Sequence, residues 1–184
     1  MAEMASKVMD VQLKTSPLAL SDASSTVEVA LDEATAFCAR KMQLAGRQAV
    51  IDCLQQGDGC ACSYFSYALA EQVAECIGEL DESVRAVYVA DYDATPQDVC
   101  FDDTRHVPLV HLIIWAQRRS AALTALVSVL DRALVEGYNE MVGASDLKHL
   151  LDAQIVDDGA VKGRVGYGAL LSSIHNRPVR VWQR

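Results

Sequence analysis

Residues 84–115 read VRAVYVADYDATPQDVCFDDTRHVPLVHLIIW, and this stretch decides the fold. Two apolar runs, 84–91 and 106–115, flank a segment that is rich in aspartate. Both runs are largely apolar on their two alternating faces, which is typical of β-strands that lie inside a sheet. We therefore expect a central pair of strands, with the first strand in the interior of the sheet.

Apolar residues spaced three and four positions apart predict three main helices around these strands. Their predicted ranges are 25–56, 63–80 and 120–143. Ser25 and Glu28 have the spacing of a capping box at the start of the first helix. The alanine-rich stripe on the first helix would let another helix approach closely.

Shorter elements follow the third helix. A short helix is predicted over 145–151 and another near 169–173, and two segments, 152–158 and 178–182, are candidate strands. The order of elements predicts an α+β domain, with a small, mainly antiparallel sheet packed by three main helices.

The predicted domain covers residues 25–184, and residues 1–24 are predicted to form a flexible arm or tail. Pro17 and the serines that follow it indicate irregular structure in this arm.

Bulk composition narrows the classes of function. The chain has 184 residues and a net charge of −9, so we expect no binding to nucleic acid, because an acidic protein repels phosphate backbones. No apolar run reaches the roughly 18 residues of a membrane span, and the N-terminus lacks the apolar region of a signal peptide. We expect no membrane partner and a cytoplasmic location, in which the six cysteines are free thiols.

The aspartate-rich segment is the first candidate site. Asp91 and Asp93 follow the first predicted strand, and Asp102 and Asp103 precede the second, so paired strands would place both acidic clusters at one end of the hairpin. Divalent cations prefer carboxylate oxygens, and Mg²⁺ or Mn²⁺ held there could orient a phosphate. The alternative is an ordinary solvated loop of an acidic protein.

Residues 161–168, VKGRVGYG, form the second candidate site. A glycine-rich loop beside basic side chains can present backbone N–H groups to an anion, although this one matches neither standard nucleotide-binding pattern. The alternative is a glycine-rich turn before a helix. The candidate anion-binding residues are Lys162, Gly163, Arg164, Gly166 and Gly168.

Cys60 and Cys62 form the third candidate, because they lie at the start of the second predicted helix. A helix N-terminus lowers the pKa of a thiol, so these two are the predicted reactive cysteines. With Cys53 they make only three of the four ligands that tetrahedral zinc needs. Packing in the core is the alternative role.

Two hypotheses of function follow, and no catalytic motif decides whether the chain is an enzyme. In the first, it is a homo-oligomeric interaction or assembly module, a dimer, whose three main helices and N-terminal arm form the interface. In the second, it binds a phosphate or nucleotide ligand through a divalent metal on the acidic cluster. The lack of a strong motif and the alanine-rich first helix favour the first hypothesis.

Overall fold

The structure, a computed structural model, describes residues 17–90, 107–144, 147–175 and 177–184, with side chains from residue 25 onward. Six helices and four strands follow one another in these ranges. They are α1 (Pro17–Met42), α2 (Arg47–Gln56), α3 (Gly59–Leu80), β1 (Val84–Val89), β2 (Val110–Ala116), α4 (Ala121–Val142), β3 (Leu151–Asp157), α5 (Asp158–Gly163), α6 (Tyr167–Leu170) and β4 (Val179–Gln183).

The four strands form one sheet in the order β3-β2-β1-β4, which confirms the α+β class and the interior position of β1. β1 pairs antiparallel with β2 and with β4, whereas β2 pairs parallel with β3. The sheet is therefore mixed. The parallel pair arises because α4 connects β2 to β3 and carries the chain back to the end at which β2 began.

Both candidate strands of the C-terminal region are confirmed as β3 and β4, each within one residue of its predicted bounds. The helix predicted over 145–151 is wrong, because residues 147–150 form no helix and Leu151 already belongs to β3. Asp131 of α4 explains the difference: its Oδ1 accepts hydrogen bonds from the backbone N–H groups of Leu150 and Leu151 at 2.8 and 2.9 Å. These bonds hold the chain extended as it enters the sheet.

The long helix predicted over 25–56 is two helices. α1 ends at Met42, and Gln43 and Gly46 adopt left-handed φ angles of 56° and 98° before α2 begins. Glycine tolerates such angles without a steric penalty, so the chain turns here even though the apolar spacing continues. The predicted capping box is also wrong, because α1 starts at Pro17 and leaves Ser25 inside the helix.

One face of the sheet packs against α3 and α4, and α1 and α2 pack against these two helices to complete the main core. Val87 and Val89 of β1 and Leu112 and Ile114 of β2 point into this core. A bulge between Val84 and Ala86 shifts the register, so β1 departs from the strict alternation that its sequence predicts.

The opposite face is covered partly by the α5–α6 region. Ile113 of β2 is fully buried here, and Trp115 on the same face donates from Nε1 to Asp158 Oδ1 at 2.9 Å. α6 lies so close to α5 that a Cβ on Gly168 would come within 2.5 Å of the Ala160 carbonyl oxygen. Only glycine fits at this contact.

Candidate functional site

α1 and α4 cross at a glycine and diverge around an open groove. A Cβ on Gly137 of α4 would lie 2.8 Å from Leu31 Cδ1, so the absence of a side chain allows the two helices to approach. Val27 and Leu31 of α1 are each 4% exposed at this crossing. Thr35, one turn further along α1, donates to the Leu31 carbonyl oxygen at 2.7 Å. This packing fixes the relative position of the walls.

The groove has a volume of about 670 Å³, an apolar floor and a charged rim. Its floor contains Val27, Leu31, Val129, Ala133, Gly137 and Met141. Its rim carries Glu28, Asp32, Arg47, Arg132, Glu136 and Glu140. Four acidic groups thus face two basic groups. An apolar floor bordered by charges is typical of a surface that binds a side-chain stripe of another polypeptide.

Arg47 joins α2 to the rim, where its guanidinium forms an ion pair with Asp32. Both side chains are more than half exposed, so this pair adds little to stability. It neutralises one of the acidic groups on the α1 wall and leaves Glu28 beside it. The net charge of the rim remains negative.

The predicted metal ligands Asp91, Asp93, Asp102 and Asp103 all lie outside the described residues. The strands that flank this segment meet at one end of the sheet, where β1 ends and β2, β3 and β4 begin. There, Ala90 N donates to the His111 carbonyl oxygen at 2.9 Å. The predicted proximity of the two ends of this segment is therefore supported by the pairing of β1 with β2.

Two histidine–aspartate pairs lie at the same end of the sheet, and the sequence analysis predicts neither pair. His149 Nδ1 lies 2.8 Å from Asp131 Oδ2, and His111 Nδ1 lies 3.1 Å from Asp152 Oδ2. The Asp131 side chain is 14% exposed and that of His149 is 75% exposed. Asp131 also binds two backbone N–H groups, so it primarily joins α4 to the start of β3. Its partners lie 18 to 20 residues away along the chain, and no local sequence motif predicts these contacts.

The candidate anion-binding residues occupy the end of α5 and the connection to α6. Lys162 and Arg164 are exposed, and Arg164 caps α5 with a left-handed backbone. Gly166 caps α6 with a φ of 53°, and Gly163 ends α5. Gly168 is explained by its contact with Ala160. These glycines therefore have conformational roles, and anion binding at Lys162 and Arg164 stays a prediction.

The acidic and glycine-rich segments are anchored at opposite ends of the sheet. β3 starts beside the acidic segment, and its seven residues then lead into α5. A strand of this length spans roughly 20 Å. The starting points of the two candidate sites are separated by that distance.

Cys62 is not the reactive thiol that its position predicts. α3 begins at Gly59, so both cysteines lie in its first turn, but Cys62 is 5% exposed whereas Cys60 is exposed. Burial, together with the nearby Asp58 carboxylate, raises the pKa of Cys62 to about 12. Burial likewise raises the pKa of Cys38 to about 11. The loss of hydration outweighs the effect of the helix N-terminus.

Among residues 17–90, 107–144, 147–175 and 177–184, no three His, Cys, Asp or Glu side chains are grouped as a metal site would require. No helix in the same ranges is both long and apolar enough to cross a bilayer. No family model, curated protein or solved structure matches the chain.

Proposed function

We propose that this chain is a homo-oligomeric assembly module that dimerises through the surface around the α1–α4 groove. The observation that carries the proposal is the groove itself, an apolar floor of about 670 Å³ inside a charged rim. A pocket lined by convergent catalytic groups would instead favour an enzyme.

The apolar stripes on the helices, which suggested an oligomer in the sequence, pack largely within the chain itself. Ala34 and Cys38 of α1 and Leu69 of α3 are all buried within the chain. They pack in the core between the helices, so they leave no interface for a partner. The assembly surface we propose is the part of α1 and α4 that this core does not cover.

Self-association is favoured by the charges of the rim. A two-fold dimer brings the same surface of each copy together, so each group needs its complement on the same surface. Arg132 on α4 and Glu28 on α1 meet this requirement, because each can face the other across a two-fold axis. A partner surface that carries charges of only one sign would form an ion pair with only one of these two side chains.

We also assign the protein to the cytoplasm. The five cysteines among the described residues form no disulfide with one another, which matches a compartment that keeps thiols reduced.

Light scattering and sedimentation at micromolar concentration test the assembly proposal. We expect a dimer for the unmodified protein and a monomer for Ala133→Glu, which adds a negative charge to the floor of an acidic groove. Ser128→Glu is the matched control, because Ser128 is exposed on the same helix and does not line the groove. An unmodified protein that stays monomeric would rule out the proposal.

The alternative function is binding of a phosphate or nucleotide ligand through Mg²⁺ or Mn²⁺ held by Asp91, Asp93, Asp102 and Asp103. This alternative is favoured because the strands that flank the segment meet at the end of the sheet where the two histidine–aspartate pairs lie. A ligand at about 100 times its Kd stabilises the folded state by roughly 2.7 kcal/mol. Thermal unfolding with each metal should then show a shift that Asp91→Asn and Asp102→Asn abolish, whereas no shift with any metal or nucleotide would exclude this function.

A further inference from the structure

We propose that the outer edge of β4 binds an extended, acidic segment of a partner protein, which adds a fifth strand to the sheet. This edge is separate from the α1–α4 groove, because no residue of β4 lines the groove. The two surfaces are therefore independent, and either can bind without the other. β4 combines an open edge, a positive charge and a firm attachment to the core.

β4 is an edge strand with one unpaired side. The strand order β3-β2-β1-β4 gives it a single neighbour in the described sheet, β1. Arg184 N donates to the Arg85 carbonyl oxygen at 3.0 Å, so the alternation of a strand turns the N–H and C=O groups of Gln183 away from β1. Val179 is 40% exposed, and Gln183 is exposed as well. Such an edge is a template for a further strand.

The strand is held in place by α3. The Trp182 ring packs against Gly78, where a Cβ would come within 2.3 Å of the ring. The Arg184 guanidinium donates to the Gly78 carbonyl oxygen and lies over the Trp182 ring, 5.7 Å from its centroid. Because the edge is already formed, a segment that pairs with β4 loses conformational freedom only on its own side.

The charge of this region favours an acidic partner. Residues 159–184 contain Lys162, four arginines and no aspartate or glutamate, although the chain as a whole has a net charge of −9. Arg177 and Arg180 are exposed, and neither belongs to an ion pair of the described residues. Guanidinium groups beside an open edge attract carboxylates, which accept two parallel hydrogen bonds from each of them.

The opposite edge of the sheet carries the opposite charge. β3 contains Asp152 and Asp157, and Asp158 follows it directly. Carboxylates of an incoming segment are repelled there. The charges on the two edges therefore direct an acidic segment to β4.

A second copy of this chain is a poor occupant of the same edge. Antiparallel pairing of β4 with itself about a two-fold axis would bring Arg177, Arg180 and Arg184 of both copies into one short ribbon. Like charges that oppose one another across strands destabilise the pairing. Charge thus favours a different polypeptide, with carboxylates at alternate positions so that they all lie on the face of the sheet that carries Arg180.

Fluorescence anisotropy with a labelled peptide tests the proposal. The probe is a short peptide of alternating glutamate and valine, and its control has lysine in place of glutamate. We expect saturable binding of the acidic peptide alone, weakened by added salt because ion pairs contribute to it. Arg180→Glu should weaken this binding by at least about tenfold. Lys148→Glu makes the same change of charge at an exposed site before β3 and should alter binding by less than about twofold.

A second measurement uses the unmodified protein, so a loss of folding cannot affect it. In an added strand, the N–H groups of alternate residues point to the same edge, so those of the glutamates and those of the valines face opposite ways. N-methylation of one set should abolish binding, and N-methylation of the other set should preserve it. Equal results for the two sets would overturn the proposal, because they would indicate contact through charge without strand pairing.

Three other results would also overturn the proposal. The first is no binding of the acidic peptide, which would mean that the arginines only protect the edge against other chains. The second is equal binding of a single-stranded oligonucleotide of the same charge. The third is hydrogen exchange at residues 179–183 that slows as the concentration of the unliganded protein rises, which would identify a second copy as the occupant.

Discussion

α3 and α4 have the same length, 22 residues, but different relations to the rest of the chain. Both begin with a side-chain cap: Asp58 Oδ1 accepts from Ala61 N in α3, and Ser120 Oγ accepts from Leu123 N in α4. Ten residues of α3 are buried, against five of α4. α3 is packed between α1 and the sheet, whereas α4 lies at the side of the helical layer.

The comparison shows that equally well-formed helices can serve different purposes. Apolar spacing and capping specify that a helix forms, but they do not specify how much of its surface the chain itself covers. α4 has more partly exposed apolar residues because one of its sides borders the groove. The apolar surface that the chain leaves uncovered is therefore found on α4 and not on α3.

The largest expected difference between α3 and α4 is in the free energy of unfolding that is lost when an apolar side chain is truncated. Phe65 of α3 is fully buried, and its ring lies 5.7 Å from that of Tyr138. Phe65→Ala should lower the free energy of unfolding by about 3–5 kcal/mol. Val129→Ala in the floor of the groove should lower it by less than about 1 kcal/mol, because the side chain is only partly buried. Urea unfolding measures both, and equal losses would break the comparison.

Glycine substitutions sharpen the same contrast. A Cβ on Gly78 of α3 would lie 2.3 Å from the Trp182 ring, so Gly78→Ala must displace Trp182 and with it β4. We expect a loss of about 1–3 kcal/mol. Gly137→Ala in α4 meets only the flexible end of Leu31 and should cost less. Thermal unfolding and tryptophan fluorescence follow both variants, and an unchanged Trp182 environment in Gly78→Ala would contradict the assignment.

Substitution of Asp131 tests whether its side chain stabilises the junction between α4 and β3. Asp131→Ala leaves the N–H groups of Leu150 and Leu151 without their acceptor, so we expect a loss of about 1–3 kcal/mol in unfolding free energy. His149→Ala removes only an exposed partner and should change stability by less than about 1 kcal/mol. Hydrogen exchange at the start of β3 should increase in the first variant alone. Equal effects would mean that the ion pair, and not the backbone contact, holds this junction.

The last expected effect depends on pH and concerns the buried thiols on the α1–α3 side. The pKa of Cys62 is raised to about 12 from the ordinary 9.0, so the folded state retains this proton more strongly than the unfolded state. Its contribution is present below pH 9 and is lost as the pH rises towards 12, at up to about 1.4 kcal/mol per pH unit. Cys62→Ala should flatten the fall in stability between pH 9 and 11. An unchanged slope would show that Cys62 does not carry this dependence.

Sequence reasoning succeeded where the signal is local. Ser120 and Gly143 bound α4, which matches the predicted range 120–143, and the predicted ranges overlap all four strands. It failed where distant contacts decide. The apolar spacing around Ala45 hides the turn at Gly46. The helix expected before Leu151 does not form, because Leu150 N and Leu151 N donate to Asp131, 19 and 20 positions earlier in the chain.

The groove was beyond the reach of sequence reasoning for a similar reason. Val27 and Leu31 belong to the stripe of α1, and Val129 and Ala133 belong to α4, but nothing in either helix records how they diverge. Gly137 was the available signal, because a glycine inside a long helix indicates a close approach. The parallel pairing of β3 had a clearer signal, since a strand, a long helix and a strand commonly form a parallel unit.

The position of β4 beside β1 has a consequence for synthesis of the protein. Val89 pairs with Val179, about ninety residues later in the chain. At translation rates of about 5–20 residues per second, β1 waits roughly 5–20 s for this neighbour. During that interval, one side of an apolar strand has its backbone N–H and C=O groups open to other nascent chains. The interior strand of the finished sheet is thus an edge strand on the ribosome, where a chaperone would have most to protect.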